Sequence, residues 1–395
     1  MIYPYGFRYI RNQLCADLPI PTKSYTGQTV IVTGSNVGLG LEAARYFVKL
    51  DAAKVILAVR SVEKGEAAKQ DIISSTSVDK GPRIEVWELD LCIYESVKNF
   101  ALRVERDLDS LDVVVENAGV FMYDFLMAGE DEMNITVNVV STLLLGVLLL
   151  PKLRETSART NKEGVLTMVG SWTHWLTPFS ERKAEHIFAR LANKKESGNN
   201  LGENRYYVSK LVQLLCVRQL AEEITKKSSE HEGNVVVSVV NPGFVKTQIM
   251  RNASAAFHVF LKGLQKALSR TAEQGARTLM HGAAGGHETH GKYLDDCKVS
   301  EPSVWVLSPE GQETQRRLWA EFTAKLERIQ PGILQNIRDA LFLSNILFYL
   351  LITIRRCSVF KPVSLLLLGS LGANWGSVDI VPICGDQMST ITRLE

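Results

Sequence analysis

The chain has 395 residues, of which 46% are apolar and 22% charged, as in ordinary globular proteins. This composition excludes the disordered, collagenous and disulfide-dense classes. Lysine and arginine number 45 against 43 acidic residues, and the resulting net charge of +2 gives no indication of a nucleic-acid partner. The length corresponds to about two or three ordinary domains, or to one large α/β domain with additions.

The six cysteines are scattered without a C-x-x-C pair, which argues against a disulfide framework or a zinc site. The N-terminus contains no apolar run of signal-peptide length. We therefore expect reduced thiols and an intracellular, cytoplasmic protein. His287 and His290 are three residues apart, but metal ligation needs a third ligand, so no metal site is predicted.

Short apolar segments alternate with stretches of helical periodicity from about residue 28 onwards. Strands are predicted over residues 30–33, 54–59, 84–89, 111–115, 164–169 and 234–240, with 303–307 as the candidate seventh. Helices are predicted over residues 39–50, 61–75, 93–108, 133–150 (ending near Pro151) and 206–224. This alternation predicts an α/β fold with a doubly wound (Rossmann) parallel sheet of about seven strands.

The regions on either side of this pattern differ in character. Residues 1–27 contain several prolines and aromatic residues and are predicted to be an irregular lead-in to a single domain over 28–330. Residues 331–395 form an apolar extension, with uncharged stretches over 340–354 and 362–378. Runs of this length are more often core or interfacial than membrane-spanning, so peripheral membrane contact through 340–378 stays open beside a covering or pairing role.

A glycine-rich turn between the first strand and the first helix is typical of a nucleotide site. It runs from Thr33 to Gly40 and contains Gly34, Asn36, Gly38, Leu39 and Gly40. Glycine is needed where the backbone turns tightly and where a pyrophosphate approaches main-chain N–H groups at a helix N-terminus. A plain βα turn is the alternative, but the strand–turn–helix context favours dinucleotide binding.

The residues after the second strand indicate which dinucleotide is bound. Arg60 stands where an NAD site usually has an acidic residue, and a guanidinium suits the 2′-phosphate of NADP(H). Lys64 adds charge one turn further on, although it also fits a solvated surface. Asp90, at the end of the third strand, is a candidate for the adenine or for a helix cap.

Tyr206 and Lys210 are four residues apart, which places them on one face of a predicted helix. A tyrosine has an ordinary pKa of ~10, and a neighbouring ammonium is expected to lower it towards neutrality. The pair is thus a candidate for proton transfer, with a surface aromatic–lysine pair as the alternative.

Taken in order, these motifs resemble those of the short-chain dehydrogenase/reductase family over about residues 28–310. The matching positions are the turn at Thr33–Gly40, Asp90-Leu91, Asn117-Ala118-Gly119, Asn138, Ser171, Tyr206 with Lys210, and Asn241-Pro242-Gly243 with Thr247. The phrases Ser171-Trp172-Thr173-His174, Glu181-Arg182 and Arg205-Tyr206 are similar to fungal members that serve secondary-metabolite pathways.

The resemblance implies roles for four catalytic residues. Tyr206 exchanges a proton with the substrate oxygen, and Ser171 hydrogen-bonds that oxygen where charge develops. Lys210 lowers the tyrosine pKa and holds the nicotinamide ribose. Asn138 holds a water molecule that links Lys210 to solvent.

It also implies further cofactor contacts. Asn117 closes the fourth strand against the cofactor, and the Val245 backbone and Thr247 hydroxyl lie near the nicotinamide carboxamide or the phosphates. Three features depart from the family: Glu116 where asparagine is common, Gly170 where serine is common, and a polar insertion within residues 172–205.

The sequence therefore predicts an NADP(H)-dependent oxidoreductase that interconverts a carbonyl and an alcohol on a small, largely apolar molecule. The expected setting is fungal secondary metabolism, with self-association into a homo-oligomer left open. The alternative is a non-catalytic NADP-binding regulatory or scaffold protein, which would not need all four catalytic residues.

Overall fold

The computed structural model describes residues 9, 11–76, 83–197, 202–227, 233–246, 249, 265 and 268–337. These residues lie within one unit, Met1–Ala340. The extension expected over 331–395 lies outside the described residues except for 331–337, and Thr247 lies outside them as well.

A central sheet of eight strands positions the functional residues. The strands of the chain are β1 (Thr29–Thr33), β2 (Lys54–Val59), β3 (Ile84–Glu88), β4 (Val113–Glu116), β5 (Met127–Ala128), β6 (Asp131–Glu132), β7 (Gly164–Val169), β8 (Val235–Asn241), β9 (Tyr293–Asp295) and β10 (Lys298–Ser300). The sheet order is β10-β9-β8-β7-β4-β1-β2-β3, and β5 and β6 form a separate hairpin. The expected doubly wound sheet is confirmed, with seven parallel strands and an antiparallel β10 at one edge.

The central strands are apolar along their whole length because both faces of the sheet are covered. Val30 and Ile31 of β1 pair with Val113 and Val114 of β4, and all four side chains are buried. From β1 the chain continues to β2 on one side of the sheet. From β4 it continues to β7 on the other side, so the direction of the strand order reverses between β1 and β4. Ligands of open α/β sheets bind at such a reversal, beyond the carboxyl ends of the strands.

Helices cover both faces of the sheet and divide the core in two. They are α1 (Gly38–Lys49), α2 (Val62–Thr76), α3 (Tyr94–Asp107), α4 (Met133–Thr160, with a π-helical segment at Thr136–Ser141), α5 (Ile187–Ala192), α6 (Lys194–Ser197), α7 (Glu203–Lys227), α8 (Ala272–Ala284), α9 (Val304–Leu307) and α10 (Pro309–Ile329). One core cluster contains apolar residues of α3, α4, α7 and α10. The other contains those of α1, α2 and α8.

The prediction of a strand over 303–307 was wrong. Val304–Leu307 is helical, and Val304 is 60% exposed rather than buried in the sheet. The place beside β8 is taken by β9, whose Tyr293 pairs with Val239. The short apolar run at 303–307 instead leads into Ser308, whose side chain caps α10 by accepting from the Gly311 N–H.

The long apolar helix does not end at Pro151 as predicted but continues to Thr160. A proline inside a helix removes one backbone hydrogen bond, and Pro151 itself is exposed. Among the described residues, α4 is the one helix long and apolar enough to cross a membrane, yet most of it is buried inside the protein. It is therefore a core helix, as its place in the βαβ series predicted.

Part of the lead-in is more regular than expected. Residues 11–15 are helical, and further along Tyr25 is buried against Phe47 of α1. Thr26 makes an isolated antiparallel bridge with Ala52. The lead-in thus packs on the domain in at least two places.

Candidate active site

The turn between β1 and α1 is closely packed against the loop that follows β4. Gly34 and Gly38 have φ values of +64° and +62°, a left-handed conformation that favours glycine. A Cβ on Gly34 would lie 2.9 Å from the Ala118 Cα, and one on Gly40 would lie 2.5 Å from the Asn117 Nδ2. The backbone of this turn therefore needs glycine at Gly34 and Gly40 for lack of space.

Asn117 fastens the two strand ends on either side of the reversal. Its Nδ2 donates to the carbonyl oxygens of Thr33 (2.9 Å) and Gly34 (3.2 Å). The Ala118 N–H donates to Thr33 Oγ1 at 2.9 Å. Asn117 thus holds the glycine turn in place, and its contact with the cofactor stays a prediction.

The residues of this turn fit a dinucleotide pyrophosphate. The Ser35 Oγ is buried and has no hydrogen-bond partner among the described residues. The N-terminus of α1 has no side-chain cap and no acidic residue in its first turn, which leaves its N–H groups for an anion. Asn36 is half-buried in the same turn.

Leu39 and Val245 meet on the other side of the turn. A Cβ on Gly275 of α8 would lie 2.5 Å from Leu39 Cδ2 and 2.7 Å from Val245 Cγ2. Val245 is buried and makes a bridge with Arg270. The segment after β8 is therefore brought to the start of α1, as the predicted cofactor contacts require.

The charged residues at the ends of β2 and β3 gather at one edge of this turn. Arg60 and Lys64 are exposed and form no ion pair with any residue that the structure describes. Burial raises the pKa of the Cys92 thiol to about 11, Asp90 raises it further and Arg60 opposes the rise, so these three groups are close together. Asp90 caps no helix: its Oδ1 accepts from the Cys92 N–H at 2.9 Å within a local turn.

Asn138 lies in the π-helical segment of α4 and is completely buried. Its Oδ1 accepts from the Val120 N–H at 2.9 Å, and its Nδ2 donates to the Val120 carbonyl at 2.9 Å and to Ser209 Oγ at 3.0 Å. Ser209 Oγ in turn donates to the Tyr206 carbonyl at 2.7 Å. Asn138 therefore connects the loop after β4 with the backbone of α7 beside Tyr206.

Lys210 reaches from α7 to the end of β7. Its Nζ donates to the Val169 carbonyl at 2.7 Å and to Gln213 Oε1 at 3.2 Å, and lies 6.0 Å from the centre of the Tyr206 ring. A Cβ on Gly119 would lie 3.1 Å from Asn138 Oδ1 and 3.8 Å from Lys210 Nζ. Asn138 and Lys210 thus border the same point of the loop after β4.

The pKa values of the tyrosine–lysine pair differ from the expectation. Burial raises the pKa of Tyr206 to about 12, and a hydrogen bond from Ser171 opposes the rise. Burial also lowers the pKa of Lys210 to about 7. Burial disfavours both charged forms, the phenolate of Tyr206 and the ammonium of Lys210.

Ser171 is held in a short 3₁₀ turn, Trp172–Trp175. Its Oγ accepts from the Thr173 N–H at 3.2 Å and from Thr173 Oγ1 at 3.0 Å. Its carbonyl is 2.7 Å from His174 Nδ1, and His174 Nε2 accepts from the Ser303 N–H at 3.2 Å. Because a backbone N–H can only donate, the proton of His174 is on Nδ1, and burial lowers the pKa of this imidazole to about 4.

Part of the lead-in reaches this site, which no sequence pattern indicated. Tyr9 stacks on Trp172 with ring centres 4.1 Å apart. Gln13 is buried, and its Nε2 donates to the carbonyls of Phe244 and Leu268, each at 2.9 Å, while its Oε1 accepts from the Phe244 N–H at 2.9 Å. We call this contact the Gln13 clamp; it joins the two ends of the segment between β8 and α8.

Two departures from the family pattern have a structural reason or consequence. A Cβ on Gly170 would lie 2.5 Å from Val239 Cγ1, so a serine does not fit there without a shift. Glu116 is completely buried at the end of β4, and burial raises its pKa well above the ordinary value. Neither carboxyl oxygen of Glu116 has a hydrogen-bond partner among the described residues.

The two spaced histidines have structural contacts. His290 Nδ1 accepts from the Val237 N–H at 3.2 Å, and its Nε2 donates to the Ala221 carbonyl at 2.9 Å. Both ring nitrogens are therefore engaged. In the described part of the chain, no three His, Cys, Asp or Glu side chains are placed to hold a metal ion.

Comparison with known proteins gives consistent matches. A model of the short chain dehydrogenase family matches residues 28–174. The chain is 40% identical over 333 residues to the short chain dehydrogenase/reductase dmxR8 of Cryptosporiopsis sp. (strain 8999), which covers 84% of this chain and 99% of the relative. The chain belongs to the short-chain dehydrogenase/reductase family. It is accordingly an oxidoreductase that acts on small molecules, and its resemblance to fungal members is confirmed.

Other relatives agree with this membership. The short chain dehydrogenase atnD of Emericella nidulans is 41% identical over 295 residues, covering 74% of this chain and 91% of the relative. A solved structure of an uncharacterised protein from Mycobacterium paratuberculosis has a TM-score of 0.56 at 23% identity, covering 80% of this chain and 97% of the other. A 3-ketoacyl-(acyl-carrier-protein) reductase from Brucella melitensis complexed with NADH has a TM-score of 0.50 at 18% identity, covering 69% and 97%. The two solved structures share the fold of this dehydrogenase/reductase.

Proposed function

We propose that the chain is an NADP(H)-dependent oxidoreductase that interconverts a carbonyl and an alcohol on a small, largely apolar molecule, with Tyr206 as proton donor and acceptor. The observation that supports this most is the convergence of Ser171, Tyr206 and Lys210 from β7 and α7 beside the glycine turn. Asn138 of α4 is tied to the same helix through Ser209. Binding a dinucleotide alone does not require these four residues together.

In this proposal the residues of the chain position the substrate and move its proton. The nicotinamide cofactor, when bound, supplies or accepts the hydride. The Tyr206 hydroxyl donates its proton to the oxygen of a carbonyl substrate as charge develops there, and accepts it back in the reverse direction. The Ser171 hydroxyl donates a hydrogen bond to the same oxygen.

Lys210 is suited to return a proton to Tyr206. Its pKa, lowered to about 7 by burial, allows the Nζ to change protonation state near neutral pH. The Val169 carbonyl and Gln213 hold the ammonium in place. A water molecule held by Asn138 would extend this path to solvent, and the same lysine would hold the nicotinamide ribose.

The choice of NADP(H) over NAD(H) is supported by charge at the end of β2. The Arg60 and Lys64 side chains are exposed and form no ion pair within the described residues, so both remain available to a 2′-phosphate. Asp90 lies beside Arg60 near the expected adenosine position. The backbone of Gly34, Asn36, Gly38, Leu39 and Gly40 would hold the pyrophosphate, and Val245 and Thr247 the nicotinamide end.

The biological setting is proposed from the relatives and from the cysteines. The matched relatives come from fungi, which supports a role in fungal secondary-metabolite biosynthesis. Cys15, Cys92, Cys216 and Cys297 are free thiols, which supports a reducing intracellular compartment, with the cytoplasm as our choice. Self-association and membrane contact through 340–378 stay predictions.

The direct test is substrate-dependent oxidation of NADPH by the purified full chain, with a panel of apolar ketones and aldehydes. Tyr206→Phe should lower kcat by about 10²- to 10⁴-fold, because it removes the transferable proton and little else. Tyr207→Phe, on the same helix one residue further, is the matched control and should leave kcat within about twofold.

Two outcomes would contradict the proposal. Unchanged turnover in Tyr206→Phe would exclude the proton transfer assigned to it. NADPH binding, detected by quenching of tryptophan fluorescence, without turnover on any carbonyl of the panel would favour the non-catalytic alternative.

A further inference from the structure

Thr173 saturates the acceptor positions of the Ser171 hydroxyl. A serine hydroxyl has two lone pairs and one hydrogen. The Thr173 N–H donates to the Ser171 Oγ at 3.2 Å, and the Thr173 Oγ1 donates to it at 3.0 Å. Both lone pairs are therefore engaged by one neighbouring residue, and the remaining capacity of this hydroxyl is its own hydrogen.

The surrounding contacts fix the direction in which that hydrogen can point. The Ser171 carbonyl accepts from His174, and the Trp172 N–H donates to Asn241 Oδ1 at 3.1 Å. These bonds hold the backbone on both sides of Ser171. Tyr206 is the group whose pKa this hydroxyl affects, since a side-chain hydrogen bond with Ser171 lowers the pKa of the phenol, as a donor does.

We propose that Thr173 is a positioning residue that makes Ser171 an obligate hydrogen-bond donor, to the Tyr206 oxygen in the free enzyme and to the substrate oxygen in the complex. This inference rests on the proposed function. A hydroxyl with a free lone pair can rotate and accept from the Tyr206 O–H, which stabilises the protonated tyrosine and withdraws the serine donor from the substrate. With both lone pairs filled by Thr173, that reversal is unavailable.

The consequence for chemistry is a preorganised donor at the point where negative charge develops. A carbonyl oxygen accepts hydrogen bonds and cannot donate, so an obligate donor matches a carbonyl substrate. His174 supports the arrangement through the backbone, since its Nδ1–H reaches only the Ser171 carbonyl.

The test compares Thr173→Val with Thr173→Ser in the full chain. Valine keeps the branched shape and the backbone N–H but removes the Oγ1 donor, whereas serine keeps that donor. We expect Thr173→Val to lower kcat/KM about tenfold, since a lost hydrogen bond of this kind is worth on the order of one factor of ten. Thr173→Ser should restore most of it.

The pH profile separates a positioning role from a structural one. Thr173→Val leaves a free lone pair on Ser171, which can then accept from Tyr206 and stabilise the protonated tyrosine, so the alkaline limb of kcat/KM should move to higher pH. The NADPH dissociation constant and the melting temperature should stay near those of the wild type. Thr177→Val is the matched control, because the Thr177 hydroxyl accepts from the Phe179 N–H and makes no hydrogen bond to Ser171 in the described structure.

The possible outcomes separate a failure of this inference from a failure of the proposed function. If the wild type turns over carbonyls and Thr173→Val retains its kcat/KM and pH profile, the role of Thr173 is wrong while the proposed function stands. If Thr173→Val and Thr173→Ser lose activity equally, the hydroxyl donor is not the cause and the inference is overturned. If the wild type turns over no carbonyl, the proposed function fails and the inference fails with it.

Discussion

The glycine turn after β1 and the serine turn after β7 follow strands that β4 alone separates in the sheet, and they are built differently. The first keeps its shape because backbone atoms of Gly34, Gly40 and Ala118 leave no space for a Cβ. The second keeps its shape through side-chain hydrogen bonds from Thr173 and His174. Substituting a glycine in a turn held by backbone packing should abolish the function of that turn. Removing single hydrogen bonds from a side-chain network should instead reduce function in steps.

The largest effect is expected for Gly34→Ala. A Cβ there meets the Ala118 Cα at 2.9 Å in addition to the strain of a φ of +64°. Gly27→Ala is the matched control, because Gly27 has a φ of +79° with no atom within 4 Å of the added Cβ. The control should cost about 1–2 kcal/mol of unfolding free energy, and Gly34→Ala a further ~1–3 kcal/mol with loss of NADPH binding. Equal denaturation midpoints for the two variants would refute the packing account.

The next largest effect is expected for Gln13→Leu, which removes the Gln13 clamp, a second structure held by side-chain hydrogen bonds. The Phe244 N–H and the carbonyls of Phe244 and Leu268 lose their partner, at an expected cost of about 2 kcal/mol in unfolding free energy. The substrate KM and the NADPH dissociation constant should both rise, because Phe244 directly precedes Val245, which lies beside Leu39 of the glycine turn and is proposed to hold the nicotinamide end. Asn12→Ala is the control, since the Arg270 side chain uses only the Asn12 carbonyl.

Glu116 is the last residue of β4, the strand between β1 and β7, and directly precedes Asn117. Because the folded state raises its pKa, the unfolded chain releases this proton at lower pH, and stability falls as pH rises above about 4.5. Glu116→Gln should remove that slope and stabilise the protein near neutral pH by roughly 1–3 kcal/mol. Denaturant melts from pH 4 to pH 8 measure the slope, with the exposed Glu88→Gln as control; parallel curves for wild type and Glu116→Gln would contradict the assignment.

The smallest effect is expected at the rim of the glycine turn. Arg60→Ala should weaken NADPH binding about tenfold, equivalent to about 1.4 kcal/mol, and leave NADH binding unchanged. The difference should shrink at high salt, because the contact is exposed. Equal losses for both dinucleotides would show that Arg60 does not select the 2′-phosphate.

The parts of the fold that could be predicted are those with a local signal. The apolar runs of β1, β2 and β7 were located to within one residue, because buried parallel strands are apolar along their length. The last strand was misplaced because Tyr293–Asp295 is short and carries no apolar run, whereas 303–307 carries one. The two segments are distinguished only by the pairing of Tyr293 with Val239 of β8.

The same difference between local sequence patterns and tertiary contacts applies to the candidate site. The glycine turn and the spacing of Tyr206 and Lys210 are local patterns, and the structure brings both to one edge of the sheet. Gln213 and Gln13 carry no such pattern, because each acts on a partner chosen by the tertiary fold. The direction of the Tyr206 pKa was missed for a related reason, since burial is a property of the folded chain.

The Gln13 clamp also has a consequence for synthesis on the ribosome. Gln13 is separated from Phe244 by 231 residues and from Leu268 by 255. At roughly 5–20 residues per second, the N-terminal segment waits on the order of ten to fifty seconds before either partner has been translated. Gln13 thus leaves the ribosome long before it can dock, and the clamp becomes complete only when nearly the whole domain has emerged.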